Sequence, residues 1–126
     1  MLEELKDYLK TLDLADYYYV GKIDNKREKV IGVYSLSKGA RVEAIGRESS
    51  YDKAGFQILV HWNKNAVETE ATARQIFEAL RYITNTEMGD LYVYYLDLDI
   101  GEPVFLGTDQ ENVYEYHISG TIYYRR

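Results

Sequence analysis

Gln57 to Leu80 reads QILVHWNKNAVETEATARQIFEAL, and this stretch decides the fold. Phe56, Ile58, Val60 and Trp62 alternate with Gln57, Leu59 and His61. An extended chain points successive side chains to opposite faces, so this period of two predicts a strand with one strongly apolar face. Asn63-Lys64-Asn65 interrupts it. Asn65 can accept one of the free N–H groups that open a helix, and Glu68, three residues on, completes a capping-box pattern. Val67, Ala71, Ile76, Phe77, Leu80 and Ile83 then line one side of a helix that ends near Thr84. Ala71, Ala73 and Ala79 are small enough to let that helix approach a sheet closely.

Upstream, Leu2, Leu5, Leu9 and Leu12 follow helical spacing, with Glu3, Glu4, Lys6, Asp7 and Lys10 on the other side. This is an amphipathic helix whose acidic start and basic end suit the helix dipole. Asp16–Asp24 (DYYYVGKID) reads as a strand, Asn25 to Glu28 as a turn and Lys29–Leu36 (KVIGVYSL) as a returning strand, together a β-hairpin. Lys22, Lys26, Arg27 and Lys29 crowd its tip. Ser37 to Gly55 carries three glycines and charges of both signs, and reads as a long exposed loop with at most one short strand, RVEAIG.

Downstream, Asn85 to Asp90 reads as a loop and Leu91–Ile100 (LYVYYLDLDI) as a strand. Its alternation sends Tyr92, Tyr94, Leu96, Leu98 and Ile100 to one face and Leu91, Val93, Tyr95, Asp97 and Asp99 to the other. The only proline, Pro103, breaks the chain, and Val104-Phe105-Leu106 is a short apolar piece before a turn at 107–112. Val113–Tyr124 reads as the last strand, with Tyr114, Tyr116, Ile118, Ile122 and Tyr124 sharing a face with Gly120. The expected fold is α+β: a mixed, largely antiparallel sheet of about 4–6 strands, with the N-terminal and central helices packed on it. The 126 residues make a single domain, 1–126, by ordinary size.

Composition narrows the chemistry. The chain has no cysteine, which removes disulfides, thiolate nucleophiles and cysteine-bound zinc. A net charge of −6 argues against a nonspecific nucleic-acid coat, which works by neutralising phosphates. No stretch has the ~18 apolar residues of a membrane helix, and the charged N-terminus does not read as a signal peptide. Hydrophobic residues make up 46 %, enough that disorder is not expected. Tyrosine is in excess, 14 against 3 Phe and 1 Trp. A large ring with a polar tip suits surfaces that are wet before a complex forms and buried afterwards, and it also suits ordinary strands.

No catalytic motif stands out. His61 and His117 each lie on the more polar face of a strand, and their rings could approach if those strands were neighbours. Two ligands without a third make a poor metal site. Asp97, Asp99 and Glu102 stand near a glycine, yet DLDIGE lacks the spacing of a calcium loop. There is no phosphate-binding glycine loop, no nucleophile elbow, no zinc-protease motif and no aromatic RNA-binding motif. No cofactor or metal is expected.

The order of elements, the FQILVHWNKNAVETEATARQIFEAL stretch and the C-terminal EPVFLGTDQENVYEYHISGTIYY together carry a family resemblance. The chain resembles the minor capsid and tail-terminator proteins of long-tailed bacteriophages and of prophages of Gram-positive bacteria. His61-Trp62-Asn63 stands where that family commonly has arginine-glycine. The resemblance implies a non-enzymatic virion protein that closes into a ring, commonly a hexamer, at the head–tail junction after assembly in the host cytoplasm. Its implied partners are copies of itself, the tail-tube protein and the head–tail connector, with no specific nucleic acid and no membrane.

Three readings follow. The first is that assembly protein, with candidate contact residues Lys38, Arg41, Glu43 and Arg47 in the long loop, Lys26 and Arg27 at the hairpin tip, and Tyr123 in the last strand. The second is a small ligand-binding domain or enzyme using His61, His117, Asp97 and Asp99. The third is a nucleic-acid module using Lys22, Lys26, Arg27 and Lys29.

Overall fold

A computed structural model describes residues 1–37 and 51–125. In chain order the elements are α1 (Leu2–Lys10), β1 (Tyr17–Val20), β2 (Val30–Ser35), β3 (Tyr51–His61), α2 (Ala66–Arg81), β4 (Thr84–Met88), β5 (Leu91–Leu98), β6 (Val104–Thr108) and β7 (Tyr114–Arg125). The strands form one mixed sheet in the order β1-β2-β3-β7-β5-β4, with β6 also paired to β7. The α+β class and the mostly antiparallel sheet agree with the sequence reading.

β3 and β7 are the long central pair, in register from Tyr51↔Arg125 to His61↔Glu115. The predicted alternation holds: Phe56, Ile58, Val60 and, just past the strand, Trp62 are all buried. They meet Ile118 and Ile122 of β7, Leu5 and Leu9 of α1, and Ile76, Phe77 and Leu80 of α2 in one apolar cluster. Both helices therefore cover the same face of the sheet. Each fully buried aliphatic side chain contributes about 1.5–3 kcal/mol, so this face carries most of the stability.

Asn65 caps α2 as expected, its side chain accepting from Glu68 N at 3.1 Å. Glu68 does not close the capping box. Its Oε1 accepts from the buried Trp62 indole at 3.2 Å and lies 3.7 Å from Lys29 Nζ. The helix ends at Arg81, and its buried stripe is Thr69, Thr72, Ala73, Ile76, Phe77 and Leu80. Val67, expected on that stripe, is 79 % exposed, and Ala71 is exposed as well. Thr69 takes the inward position because its hydroxyl is satisfied by Asn65 O at 2.8 Å, so burial leaves no unpaired polar group.

Four sequence expectations need correction. β1 and β2 are parallel, Tyr17↔Val30 to Val20↔Val33, and not a hairpin. Gly21 (φ 83°) turns the chain off the end of β1, residues 22–28 run back, and Lys29 (φ 57°) turns it into β2. Ile23 lies over Gly32, where a Cβ would sit 2.5 Å from its Cγ2; only a glycine lets the return segment lie so close. The Asn25–Glu28 turn exists, closed by Arg27 N donating to Asp24 O at 3.2 Å, but it sits midway along this return.

β3 begins at Tyr51, inside the expected long loop. Residues 85–88, part of the expected Asn85–Asp90 loop, belong with Thr84 to edge strand β4, which is too polar (TNTEM) to show an apolar face. β5 carries a register irregularity between Val93 and Tyr95, so that Val93 and Leu96, of opposite parity, are both buried.

Candidate functional site

The residues of the ligand-binding reading lie on the sheet face away from the helices. His61 and His117 are there together, because His61 pairs with Glu115 and His117 with Leu59 across β3 and β7. His61 is fully buried, and its Nδ1 donates to Glu115 Oε2 at 2.9 Å. A carboxylate can only accept, which fixes the proton on Nδ1. Asp109 Oδ2 stands 3.8 Å from Nε2, beyond hydrogen-bond reach. Asp109 spends its other oxygen on the β6–β7 turn, accepting from Glu111 N at 2.8 Å and Val113 N at 3.0 Å.

Asp97 faces Thr121, and Asp99 clasps the end of β5 to β7, accepting from Ser119 Oγ at 2.8 Å. Among the described residues no three His, Cys, Asp or Glu side chains are grouped to hold a metal ion.

Lys26 and Arg27 line a wide groove of about 980 Å³. The return segment supplies Asn25 to Glu28, the β3–α2 connection supplies Lys64, and the β6–β7 turn supplies Thr108 to Glu111. Basic and acidic side chains thus face one open space. Arg27 is held in place: Nη1 donates to Tyr17 Oη at 2.6 Å, the guanidinium lies 4.5 Å from the Tyr17 ring centroid, and Nε reaches Asp24 at 3.3 Å. Of the nucleic-acid candidates, Lys29 is turned toward Glu68. Lys38, Arg41, Glu43 and Arg47 lie outside the described residues.

Tyr123 stands in the middle of a cross-strand aromatic row. It stacks on Tyr95 of β5, ring centroids 4.6 Å apart at 11°, and leans on Tyr51 of β3 at 6.0 Å. Stacked rings across neighbouring strands contribute about 0.5–1.5 kcal/mol beyond their burial. Burial, and then the nearby Tyr95 and Asp97, push the Tyr123 phenol above its ordinary pKa. The tyrosine excess therefore partly serves the sheet itself, and Tyr95 still leaves half its surface to solvent.

β6 was read only as a short apolar piece. It pairs with the first half of β7, with an irregularity between Phe105 and Gly107. Phe105 packs on Tyr116 at 5.3 Å and Tyr114 at 6.2 Å, yet remains 55 % exposed, and Leu106 is 49 % exposed. Large apolar side chains left open in adjacent positions on a strand are uncommon away from contact surfaces. Their signal in the sequence is an apolar triplet bracketed by acids: Glu102 before it, Asp109 and Glu111 after it.

Two helices on one sheet face, an aromatic-rich opposite face and exposed apolar side chains at a strand edge define a class: a small α+β domain with apolar surface left open at a sheet edge. The chain belongs to the bacteriophage tail terminator protein family, whose model matches residues 8–125, nearly its whole length. No curated protein matches the sequence. Membership gives the chain a structural role in the phage tail and, with it, contacts with other tail and head components.

Proposed function

We propose that the chain assembles as a ring on the end of the tail tube, where it stops tail growth and presents the surface to which the head is joined. The observation that carries this reading is the family match across residues 8–125, which takes in every strand among the described residues and the central helix. The subunit meets copies of itself, six in the form the family resemblance implies, and meets the tail-tube protein and the head connector through separate surfaces. Assembly takes place in the host cytoplasm and the finished ring sits at the head–tail junction.

The segment with Lys38, Arg41, Glu43 and Arg47, the Lys26–Arg27 wall and the Tyr123 row are the surfaces this reading assigns to those partners. A net charge of −6 suits a ring through which DNA must pass without being gripped. The ligand-binding alternative draws no support from the geometry, since His61 is buried against Glu115, Asp99 accepts from Ser119 Oγ, and no three metal-ligating side chains are grouped among the described residues.

Light scattering of the chain with and without tail-tube protein tests the proposal. The expected result is a discrete increase in mass on mixing. A chain that remains monomeric at high concentration with tube protein present would refute it.

A further inference from the structure

We infer that successive copies in the ring meet through two unlike sheet edges: the Tyr17–Arg27 edge at β1 of one copy and the Phe105–Leu106 edge at β6 of the next. This rests on the ring reading above and adds to it the surfaces and the direction of contact.

The first observation is topological. Among the described residues β1 pairs only with β2, and β6 pairs only with β7. In that half of the sheet the order is β1-β2-β3-β7-β6, so the two edges stand four strands apart, about 19 Å along the sheet. A contact between two different patches of the same chain is heterologous, and repeating it generates a ring when the rotation closes. The third free edge, β4, is polar and offers no exposed large apolar side chain.

The second observation is chemical. The β1 edge presents Tyr17, 37 % exposed, under the Arg27 guanidinium, with Lys26 on the same turn. Residues 21–29 hold four bases and two acids. The β6 edge presents Phe105 and Leu106, and residues 99–111 hold four acids and no base. Each edge is an apolar centre with charges at its border; Lys26 and Arg27 also face Asp109 and Glu111 of their own copy across the groove, and Lys29, Asp99 and Glu102 have neighbours within the copy, so the exposed apolar and aromatic side chains carry the contact. That is the anatomy of a specific interface, with Tyr and Arg as anchors.

The register irregularity in β6 and the positive φ of Gly107 (101°) deny the next copy a regular ladder of backbone groups. The contact therefore runs through side chains, the Phe105 and Leu106 surface of one copy covering the Tyr17 ring and the Arg27 guanidinium of the next.

The absence of cysteine makes the test direct. A Tyr17→Cys/Leu106→Cys double variant is oxidised on tail tubes, beside a Thr84→Cys/Leu106→Cys control that uses the β4 edge. The inference expects a ladder of covalent multimers from the first pair and none from the control. It also expects Phe105→Asp to weaken copy–copy association by about tenfold or more while the isolated chain, though less stable for the lost Tyr114 and Tyr116 contacts, stays folded by thermal unfolding at the assay temperature. Rings that form without the β1–β6 ladder, or that tolerate Phe105→Asp, overturn the inference and leave the ring reading intact. A chain that forms no ring on tail tubes overturns both.

Discussion

Replacing Gly120 by alanine would place a methyl carbon 2.5 Å from the Asp97 carbonyl oxygen, 3.1 Å from Leu98 Cα and 3.1 Å from Phe56 Cζ. An ordinary carbon–oxygen contact is about 3.3 Å or more, so β5 would have to retreat from β7 by roughly 0.8 Å at this point. The obstructing atoms are mostly backbone, and Phe56 is fully buried, so no side chain can simply swing away. Overpacking of this kind costs about 1–3 kcal/mol, and rigid neighbours put Gly120→Ala near the top of that range. The reduced freedom of the unfolded chain returns about 0.4–1 kcal/mol, leaving a net loss of about 2–2.5 kcal/mol. For a chain of this length that lowers Tm by roughly 10 °C.

Gly32 is the matched control. A Cβ there meets Ile23 Cγ2 at the same 2.5 Å, but that atom is the end of a side chain on the return segment. Gly32→Ala should cost about 1 kcal/mol, and Ile23→Ala in the same chain should cost less than the sum of the two single changes, since the tightest obstruction is removed while Tyr34 Cε2 at 3.0 Å remains. Urea unfolding of these variants measures all of this. Gly120→Ala within 0.5 kcal/mol of wild type, or costing less than Gly32→Ala, would refute the packing argument.

Asn65→Ala removes the N-cap of α2 and should cost about 1 kcal/mol by urea unfolding, with Asn65→Gly losing less. Ile76→Ala, which opens a hole beneath α2, should cost about 2–5 kcal/mol, while Val67→Ala on the solvent side should change stability by less than about 0.5 kcal/mol. His61→Ala leaves the Glu115 carboxylate without its donor and a void in the sheet, an expected loss of about 2–4 kcal/mol in the same assay. Burial holds the phenols of Tyr34, Tyr116, Tyr123 and Tyr124 above the ordinary 10.0. The unfolded chain then releases those protons first, so their contribution is whole below about pH 10 and falls as pH rises through the folded values. Spectrophotometric titration should show a late-ionising set of tyrosines that joins the main transition in urea; a single ordinary transition in the folded chain would contradict this.

Much of the fold was legible because hydrophobic period reports burial directly. Leu5 and Leu9 at helical spacing, and Phe56, Ile58 and Val60 at spacing two, are buried where the pattern puts them. Asn65 was readable as a cap because a short polar side chain before an apolar run has few other uses. The misreadings have local causes. DYYYVGKID followed by KVIGVYSL carries the composition of a hairpin, and nothing in it announces that Gly21 and Lys29 turn the chain so that the strands run parallel. β4 is invisible to an apolar pattern because an edge strand facing water needs none. The helix stripe was drawn through Val67 and Ala71 because threonine is counted as polar, although Thr69 satisfies its own hydroxyl locally. The irregularity in β5 broke an alternation that had been extended across it.

The candidate contact surfaces were less legible. Lys26 and Arg27 line the groove, and Tyr123 proved to be the centre of a stacked row spread over three strands, which a one-dimensional pattern cannot show. Phe105 and Leu106 passed as a core fragment because exposure is not written in residue type. Among the described residues their strand borders only β7, which leaves them uncovered.

The most direct test of the account is electron microscopy of tail tubes polymerised with and without the chain. The account predicts that tubes made with it stop at a narrow length distribution and carry one extra ring, of six copies, at a single end. Tubes of unchanged, open-ended lengths with no added density at either tip would contradict it.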